Sequence, residues 1–223
     1  MLNTQWVESD PLPYPFNSRA TLVTPRDFPL SMSSAEKKYK WRREDYQENT
    51  KGLLMVHTGD GKGKTTCALG LMMRAAGRGL NCCMIQFMKS RNDRYGEHAS
   101  AEKLGIEVHT MGDGFTWDTK NPEQDRATAR NTWSLCIEKM RSGDYDILVF
   151  DELVYVLSYK MLPVEEVLSE LREVRATQPA LHIVVTGRGA PPELIQAADL
   201  VTEMRDIKHP FNTGIRAQQG IEF

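Results

Sequence analysis

Short apolar runs alternate with longer stretches of helical periodicity from residue 53 onward. Each run is four to six residues long, which fits a strand covered on both faces. The six runs are residues 53–58, 82–87, 106–109, 147–150, 183–186 and 200–204. The clearest helical stretches between them are residues 64–76, 122–141, 163–175 and 192–198. The alternation predicts an α/β fold in which a mostly parallel central sheet carries helices on both faces.

The first 50 residues have a different pattern. Residues 1–31 hold five of the eleven prolines and no periodicity long enough to bury a face, which predicts a flexible arm. Ser33 and Glu36 form a capping-box pattern that predicts a helix over residues 32–50, and Met32 before it is an alternative initiator. This helix is either a solvated charged helix or one that covers a site or a partner subunit. We therefore expect an arm, an N-terminal helix and one main domain over residues 51–223.

Length and composition restrict the class of protein. The 223 residues are 40% hydrophobic and 26% charged, as expected for one soluble domain with attachments. Neither an apolar run of about 18 residues nor a signal-peptide pattern is present, so we expect a cytoplasmic protein that does not associate with membranes. The net charge of −2 gives no general attraction for nucleic acid. The four cysteines include no C-x-x-C pair, and we expect buried thiols rather than metal ligands or disulfides.

A glycine-rich loop follows the first predicted strand and precedes the first predicted helix. Its residues are Gly59, Asp60, Gly61, Lys62, Gly63, Lys64, Thr65 and Thr66. In a P-loop, backbone amides surround phosphate oxygens, the lysine supplies an ammonium and the first hydroxyl binds Mg²⁺. The register of Lys64 and Thr65 between strand and helix predicts phosphate binding, although Thr58 replaces the first glycine of the usual pattern. A glycine-rich turn without a ligand is the alternative.

Two carboxylates follow the predicted strand 147–150. A strand that ends in acid can bring carboxylates to the metal of a bound nucleotide. We expect Asp151 to hold Mg²⁺ directly or through water, and Glu152 to orient metal-bound water or a ribose hydroxyl. The cap of a following helix is the alternative role for such a pair.

Six motifs spread over residues 36–223 together resemble one known family. They are T-G-D-G-K-G-K-T-T at 58–66, Q-F-M-K at 86–89, G-D-G-F-T-W-D-T at 112–119, V-F-D-E at 149–152, V-T-G-R-G at 185–189 and A-Q-Q-G-I-E-F at 217–223. In these motifs the chain is similar to the ATP:corrinoid adenosyltransferases of the RecA-like P-loop type, whose loop also lacks the first glycine. The resemblance implies a P-loop NTPase-like fold and a catalytic domain that binds a nucleotide and a corrinoid.

The resemblance also implies a reaction. In this family the cobalt(I) of a reduced corrinoid attacks the 5′ carbon of ATP, and inorganic triphosphate leaves as the adenosyl–cobalt bond forms. The triphosphate lies reversed in the loop, which presents the 5′ carbon to the corrin. The charge that develops on the leaving group would be stabilised by Lys64, Lys62, the loop amides and Mg²⁺ on Thr65. Adenosylcobalamin synthesis or salvage is the expected role.

Two aromatic residues stand two positions apart in a glycine-bounded segment. In an extended loop the rings of Phe115 and Trp117 project to one side. From the sequence alone such a pair is more often a pair of core anchors, and the resemblance reverses that interpretation. The resemblance implies that both rings occupy the space beneath the corrin, displace the lower axial ligand and leave four-coordinate cobalt(II), which a biological reductant can then reduce. On this basis both residues are expected to be catalytic, with Lys64 and Glu152.

Other expectations depend on strand ends and on the family. Arg188 is a candidate nucleotide contact and Gln86 and Lys89 are candidate corrinoid contacts, with ordinary surface or packing roles as alternatives. The family implies cobalamin, cobinamide or cobyrinic acid a,c-diamide as substrate, a flavodoxin-like or flavin reductant, and a homodimer in which the N-terminal helix closes over the corrinoid. The competing functions are a P-loop ATPase or small-molecule kinase, and a non-catalytic corrinoid carrier gated by nucleotide.

Overall fold

Six parallel strands form one sheet in the computed structural model, which describes residues 51–90, 95–112 and 121–222. The strands are β1 (Leu54–Thr58), β2 (Cys82–Ser90), β3 (Glu107–Gly112), β4 (Ile147–Asp151), β5 (His182–Thr186) and β6 (Leu200–Glu203). Their spatial order is β3-β2-β4-β5-β1-β6, and all paired strands are parallel. The predicted α/β fold with a parallel central sheet is confirmed.

Six α-helices connect or follow these strands within the described residues. They are α1 (Lys64–Ala76), α2 (Gly96–Lys103), α3 (Pro122–Ser142), α4 (Leu153–Ser158), α5 (Val164–Thr177) and α6 (Pro192–Ala197). A 3₁₀ turn over Pro210–Thr213 follows β6. The sequence pattern predicted α1, α3, α5 and α6 to within two residues at each end and missed α2 and α4. Across the described ranges, no helix combines the length and the apolar character needed to cross a membrane.

Both faces of the sheet are covered, because neighbouring strand residues point to opposite sides. Leu54 and Val56 of β1 join the larger core, which α3, α4, α5 and α6 cover. Met55, between them, joins the smaller core under α1 and α2. Cys83 belongs to the larger core and Cys82 to the smaller one, so the two thiols face apart as their spacing predicts.

Two expectations about burial are wrong. The sixth run was expected to be covered on both faces, yet all four residues of β6 are exposed. Among the strands of the described residues, β6 lies at the edge of the sheet beside β1. Cys67 was expected to be buried with the other thiols, and it is exposed. The buried side of α1 is formed by Lys64, Ala68, Met72 and Ala75, and Cys67 lies off that stripe.

Candidate active site

The P-loop is the sharp turn between β1 and α1. Gly59 and Gly63 both adopt left-handed backbone angles, with φ of 96° and 108°, which side chains disfavour. The loop also packs against the backbone that follows β6, where Gly61 N–H donates to the Met204 carbonyl at 2.7 Å. A Cβ on Gly61 would lie 2.6 Å from the carbonyl carbon of Arg205. Glycine is therefore required here by backbone angle and by close approach.

Lys64 lies inside the loop rather than in solvent. Its side-chain nitrogen donates to the carbonyls of Gly59 and Gly61, each at 2.8 Å, and the residue is 7% exposed. Burial lowers the pKa of this ammonium, and attraction to Glu152 opposes the shift. The loop thus holds a cation at its centre, bonded to neutral carbonyls that an anionic ligand can replace.

Asp151 is the polar centre of the neighbouring strand end. It is 1% exposed, and its Oδ1 accepts hydrogen bonds from Thr65 Oγ1 at 2.8 Å and from Thr186 Oγ1 at 2.7 Å. Gln86 Nε2 donates to the other carboxylate oxygen at 3.4 Å. Oxygen donors of this kind are what Mg²⁺ prefers in nucleotide sites, so the Thr65 and Asp151 side chains fit that ion. The structure thus brings together two residues that the sequence predicted as ligands of one metal ion.

Glu152 follows in a strained backbone position. Its φ is 63°, and its backbone N–H donates to Thr186 Oγ1 at 3.0 Å. Burial, helped by repulsion from Asp151, raises the pKa of the Glu152 carboxyl to about 7. A Cβ on Gly187 would lie 3.1 Å from Glu152 Oε2 and 2.8 Å from Val154 Cβ. The glycine after β5 therefore leaves the space that this carboxylate occupies.

Gln86 connects Asp151 to two residues that the sequence analysis missed. The Gln86 side chain is fully buried, and its oxygen accepts from His98 Nε2 at 2.8 Å and from Thr110 Oγ1 at 3.1 Å. Because His98 Nδ1 accepts from the Tyr95 backbone N–H, Nε2 carries the proton. The sequence analysis also missed Thr186. Knowledge of the strand order would have indicated it, because the end of β5 lies beside the end of β4 with Asp151.

The remaining predicted residues lie around this centre or outside the described residues. Asp60 and Thr66 are exposed, and so is Arg188, whose charge acts on both Lys64 and Glu152.

Lys89 is half-buried at the end of β2, where it pairs with Glu97 and lies over the Tyr95 ring. Lys62 forms an ion pair of 3.1 Å with a carboxylate that was not expected there, Glu222. Two of the predicted catalytic residues, Phe115 and Trp117, lie outside the described residues. The predicted N-terminal helix over residues 32–50 does so too.

His57, on β1 just before the loop, is a packed histidine. It is 2% exposed, and its Nε2 lies 3.8 Å from Cys67 Sγ. Burial lowers the pKa of this imidazole, against the opposing effect of a hydrogen bond with the Lys64 backbone, and so favours the neutral ring.

A second cluster of titratable groups lies on β2, β3 and α3. Cys83, Glu107 and His109 could each offer a metal ligand there. Lys139 Nζ, however, lies 2.8 Å from Glu107 Oε1, and Tyr145 donates to the same carboxylate. These bonds lower the pKa of Glu107 to about 2, against the opposing effect of partial burial. The ammonium already neutralises the carboxylate, so we regard the cluster as an ion-pair network of the fold.

Comparisons with known proteins identify the family of the chain. The chain matches the sequence model of the ATP:corrinoid adenosyltransferase family BtuR/CobO/CobP over residues 50–223. It is 42% identical to the corrinoid adenosyltransferase of Pseudomonas aeruginosa, over 78% of this chain and 84% of that one. It is 39% identical to the Escherichia coli K12 corrinoid adenosyltransferase and to CobA of Salmonella typhimurium, in each case over 79% of this chain and 88% of the relative.

The parallel sheet and the glycine loop define an α/β protein of the P-loop class. The sequence matches identify its family. The chain belongs to the ATP:corrinoid adenosyltransferase family. It is a transferase of cobalamin synthesis with ATP and a corrinoid as its substrates. Among solved structures it is also similar to the flagellar accessory protein FlaH of Methanocaldococcus jannaschii, with 8% identity, a TM-score of 0.46 and coverage of 68% and 70% of the two chains.

Proposed function

We propose that the loop binds the triphosphate of ATP and stabilises it as it leaves. The observation that carries this proposal is the pairing of Lys64, held between loop carbonyls, with Thr65, hydrogen-bonded to Asp151. In the proposed step the cobalt(I) lone pair forms a bond to C5′ and the C5′–O bond breaks. The triphosphate takes the electron pair of the broken bond. Its growing negative charge is stabilised by the Lys64 ammonium, the Lys62 ammonium and the loop amides, including those of Gly59, Asp60, Gly63 and Thr66.

The proposed Mg²⁺ ligands are the Thr65 hydroxyl and the Asp151 carboxylate. The ion would supply additional positive charge beside the triphosphate. Thr186 and Gln86 hold the Asp151 carboxylate in place through their own hydrogen bonds. Glu152 lies next to this group and has the role of orienting metal-bound water or the ribose hydroxyls. Its carboxyl pKa of about 7 means that binding of a cation nearby would favour the ionised form.

The corrinoid is proposed to bind beyond the carboxyl ends of β2 and β3. Ligands of open α/β sheets gather at that edge, and the Phe115 and Trp117 segment follows β3 directly in sequence. The two rings are assigned the displacement of the lower axial ligand. Lys89 and Arg188 are assigned contacts to the charged or polar periphery of the substrates. Gln86 is better suited to holding Asp151 than to touching the corrin, because its side chain is fully buried.

The finer biological setting is proposed from the family resemblance. The substrate would be cobalamin, cobinamide or cobyrinic acid a,c-diamide, reduced by a flavodoxin-like or flavin reductant in the cytoplasm. The enzyme would act as a homodimer. Residues 1–31 would form an arm, residues 32–50 a helix that closes over the corrinoid, and residues 51–223 the catalytic domain.

An anaerobic reaction with Mg-ATP and chemically reduced cobalamin tests this function. We expect the cobalt(I) spectrum to be replaced by that of a light-sensitive adenosylated corrin. ADP or orthophosphate without a new cobalt–carbon bond would favour a P-loop ATPase or kinase. Binding of both ligands without any turnover would favour a nucleotide-gated carrier.

A further inference from the structure

The segment after β6 returns to the P-loop and contacts it twice. The Met204 carbonyl accepts the Gly61 amide at 2.7 Å, and the Glu222 carboxylate pairs with Lys62 at 3.1 Å. The Glu222 side chain is 17% exposed, whereas that of Lys62 is 51% exposed. A partly covered carboxylate thus lies against the one loop lysine that is not held by loop carbonyls.

A local turn presents Glu222 to the loop. The backbone amides of Ile221 and Glu222 donate to the Gln218 carbonyl at 3.1 Å and 2.9 Å. Gly220, just before Ile221, adopts the left-handed conformation with φ of 79°, which glycine enters without steric strain. The carboxylate is therefore positioned by backbone hydrogen bonds in addition to its ion pair.

The position of this carboxylate opposes the binding of phosphate oxygens. Lys62 has to exchange Glu222 for phosphate before its ammonium can contribute to the loop. After that exchange, the Glu222 charge remains near the incoming anion and repels it. The repulsion grows with the charge of the ligand. Free triphosphate has one more ionisable oxygen than the triphosphate ester of ATP, so it is disfavoured more strongly than the substrate.

We propose that Glu222 limits the affinity of the loop for inorganic triphosphate and so helps the product to leave. The P-loop amides, Lys64 and Lys62 form a strong site for a polyanion, and a product held there would block the next ATP. Glu222 recaptures Lys62 as the triphosphate departs. This inference rests on the proposed binding of triphosphate by the loop.

Equilibrium binding of inorganic triphosphate and of ATP, each with Mg²⁺, tests the proposal by calorimetry. Glu222→Gln keeps the size of the side chain and removes its charge. Exposed and partly exposed ion pairs change free energies only modestly, so we expect triphosphate to bind about two- to fivefold more tightly, with a smaller gain for ATP. The inhibition constant of triphosphate in the enzymatic reaction should fall by the same factor. Glu170→Gln, which removes a carboxylate paired with the distant Arg141, should leave both affinities unchanged.

A double-mutant cycle assigns the effect to the pair. In a Lys62→Ala background, Glu222→Gln should lose the part of its effect that comes from competition for Lys62 and keep only the direct repulsion, so its gain in triphosphate affinity should be smaller. Unchanged triphosphate binding in Glu222→Gln, or a gain that persists fully without Lys62, would overturn the proposal. Lys64→Ala separates this outcome from failure of the loop assignment. If Lys64→Ala binds triphosphate as the parent does, the loop assignment fails; if it weakens binding while Glu222→Gln changes nothing, only the role of Glu222 fails.

Discussion

The Thr65 hydroxyl donates a hydrogen bond of 2.8 Å to Asp151, 86 residues away in the chain. The bond joins the first turn of α1 to the end of β4, although β5 lies between β4 and β1 in the sheet. Two oxygen ligands for a nucleotide-bound cation are therefore held together by the fold. Thr186, at the end of β5, fills the gap between them and donates to the same carboxylate oxygen at 2.7 Å.

Thr186→Val should weaken this arrangement. The hydroxyl donates to Asp151 and accepts from the Glu152 backbone amide. Its loss removes the acceptor of that amide and one of the hydrogen bonds that hold the buried Asp151 carboxylate. We expect the free energy of unfolding to fall by about 1–3 kcal/mol. The Mg²⁺ concentration needed for half-maximal ATP binding should rise about tenfold, because a loss of about 1.4 kcal/mol in the binding of the ion corresponds to that factor. Thr186→Ser, which keeps the hydroxyl, should retain most of both properties, and equal losses in the two variants would contradict the role of the hydroxyl.

Lys64→Ala should impair use of ATP more than Lys62→Ala does. Lys64 is buried within the loop, whereas the Lys62 side chain is half-exposed and already paired with a carboxylate. We expect kcat/KM for ATP to fall at least about 100-fold in Lys64→Ala, since charge stabilisation at a developing anion typically contributes that much. The loss should be several times smaller in Lys62→Ala. Steady-state kinetics with pre-reduced corrinoid measure both, and unchanged ATP affinity and rate in Lys64→Ala would exclude its role.

Glu152→Gln should alter the dependence of stability on pH. The folded state raises the pKa of this carboxyl from an ordinary value near 4.5 to about 7, so the folded protein favours the protonated acid. The Glu152 carboxyl makes its full contribution to the free energy of unfolding below about pH 4.5, and this contribution is lost as pH rises through about 7. The variant cannot ionise, so it should exceed the wild type in free energy of unfolding at pH 8 and approach it near pH 5. Urea unfolding of the ligand-free protein across this range checks the sign, and a constant difference would contradict it.

Trp117→Ala should separate reduction from alkyl transfer. If the ring displaces the lower axial ligand, its loss should slow reduction of cobalt(II) by about 10-fold or more, an estimate that treats the lost ring contacts as about 1.4 kcal/mol of differential stabilisation. Reaction with chemically pre-reduced cobalt(I) should decline less. The comparison requires both assays on the same preparation. Equal losses in the two would contradict the displacement role of Trp117.

The fold was predictable from the sequence because its strands and long helices are separate and strongly patterned. Strand order was not, since it depends on pairing between distant segments. The helix α2 was missed because its eight residues bury only Ala101, and α4 because it begins immediately after Asp151 and Glu152. The strand β2 extends beyond its apolar run through polar residues at its end.

The site was predictable where chemistry is local. The order of glycines, Lys64 and Thr65 predicts a phosphate site within one loop. The contacts of Asp151 with Thr186 and Gln86, and of Gln86 with His98, cross between strands and a helix. No spacing rule connects those residues. The ion pair of Lys62 with Glu222 was missed for the same reason, although both residues lie in motifs that the sequence analysis identified.

Phosphorus NMR of a single anaerobic turnover tests the central claim most directly. ATP and cobalt(I) cobalamin are mixed with the enzyme in the dark, and the phosphorus products are compared with the adenosylated corrin formed. Transfer of the adenosyl group predicts intact inorganic triphosphate in a one-to-one ratio with the new cobalt–carbon product. ADP, orthophosphate or pyrophosphate as the primary product, without adenosylated corrin, would contradict it.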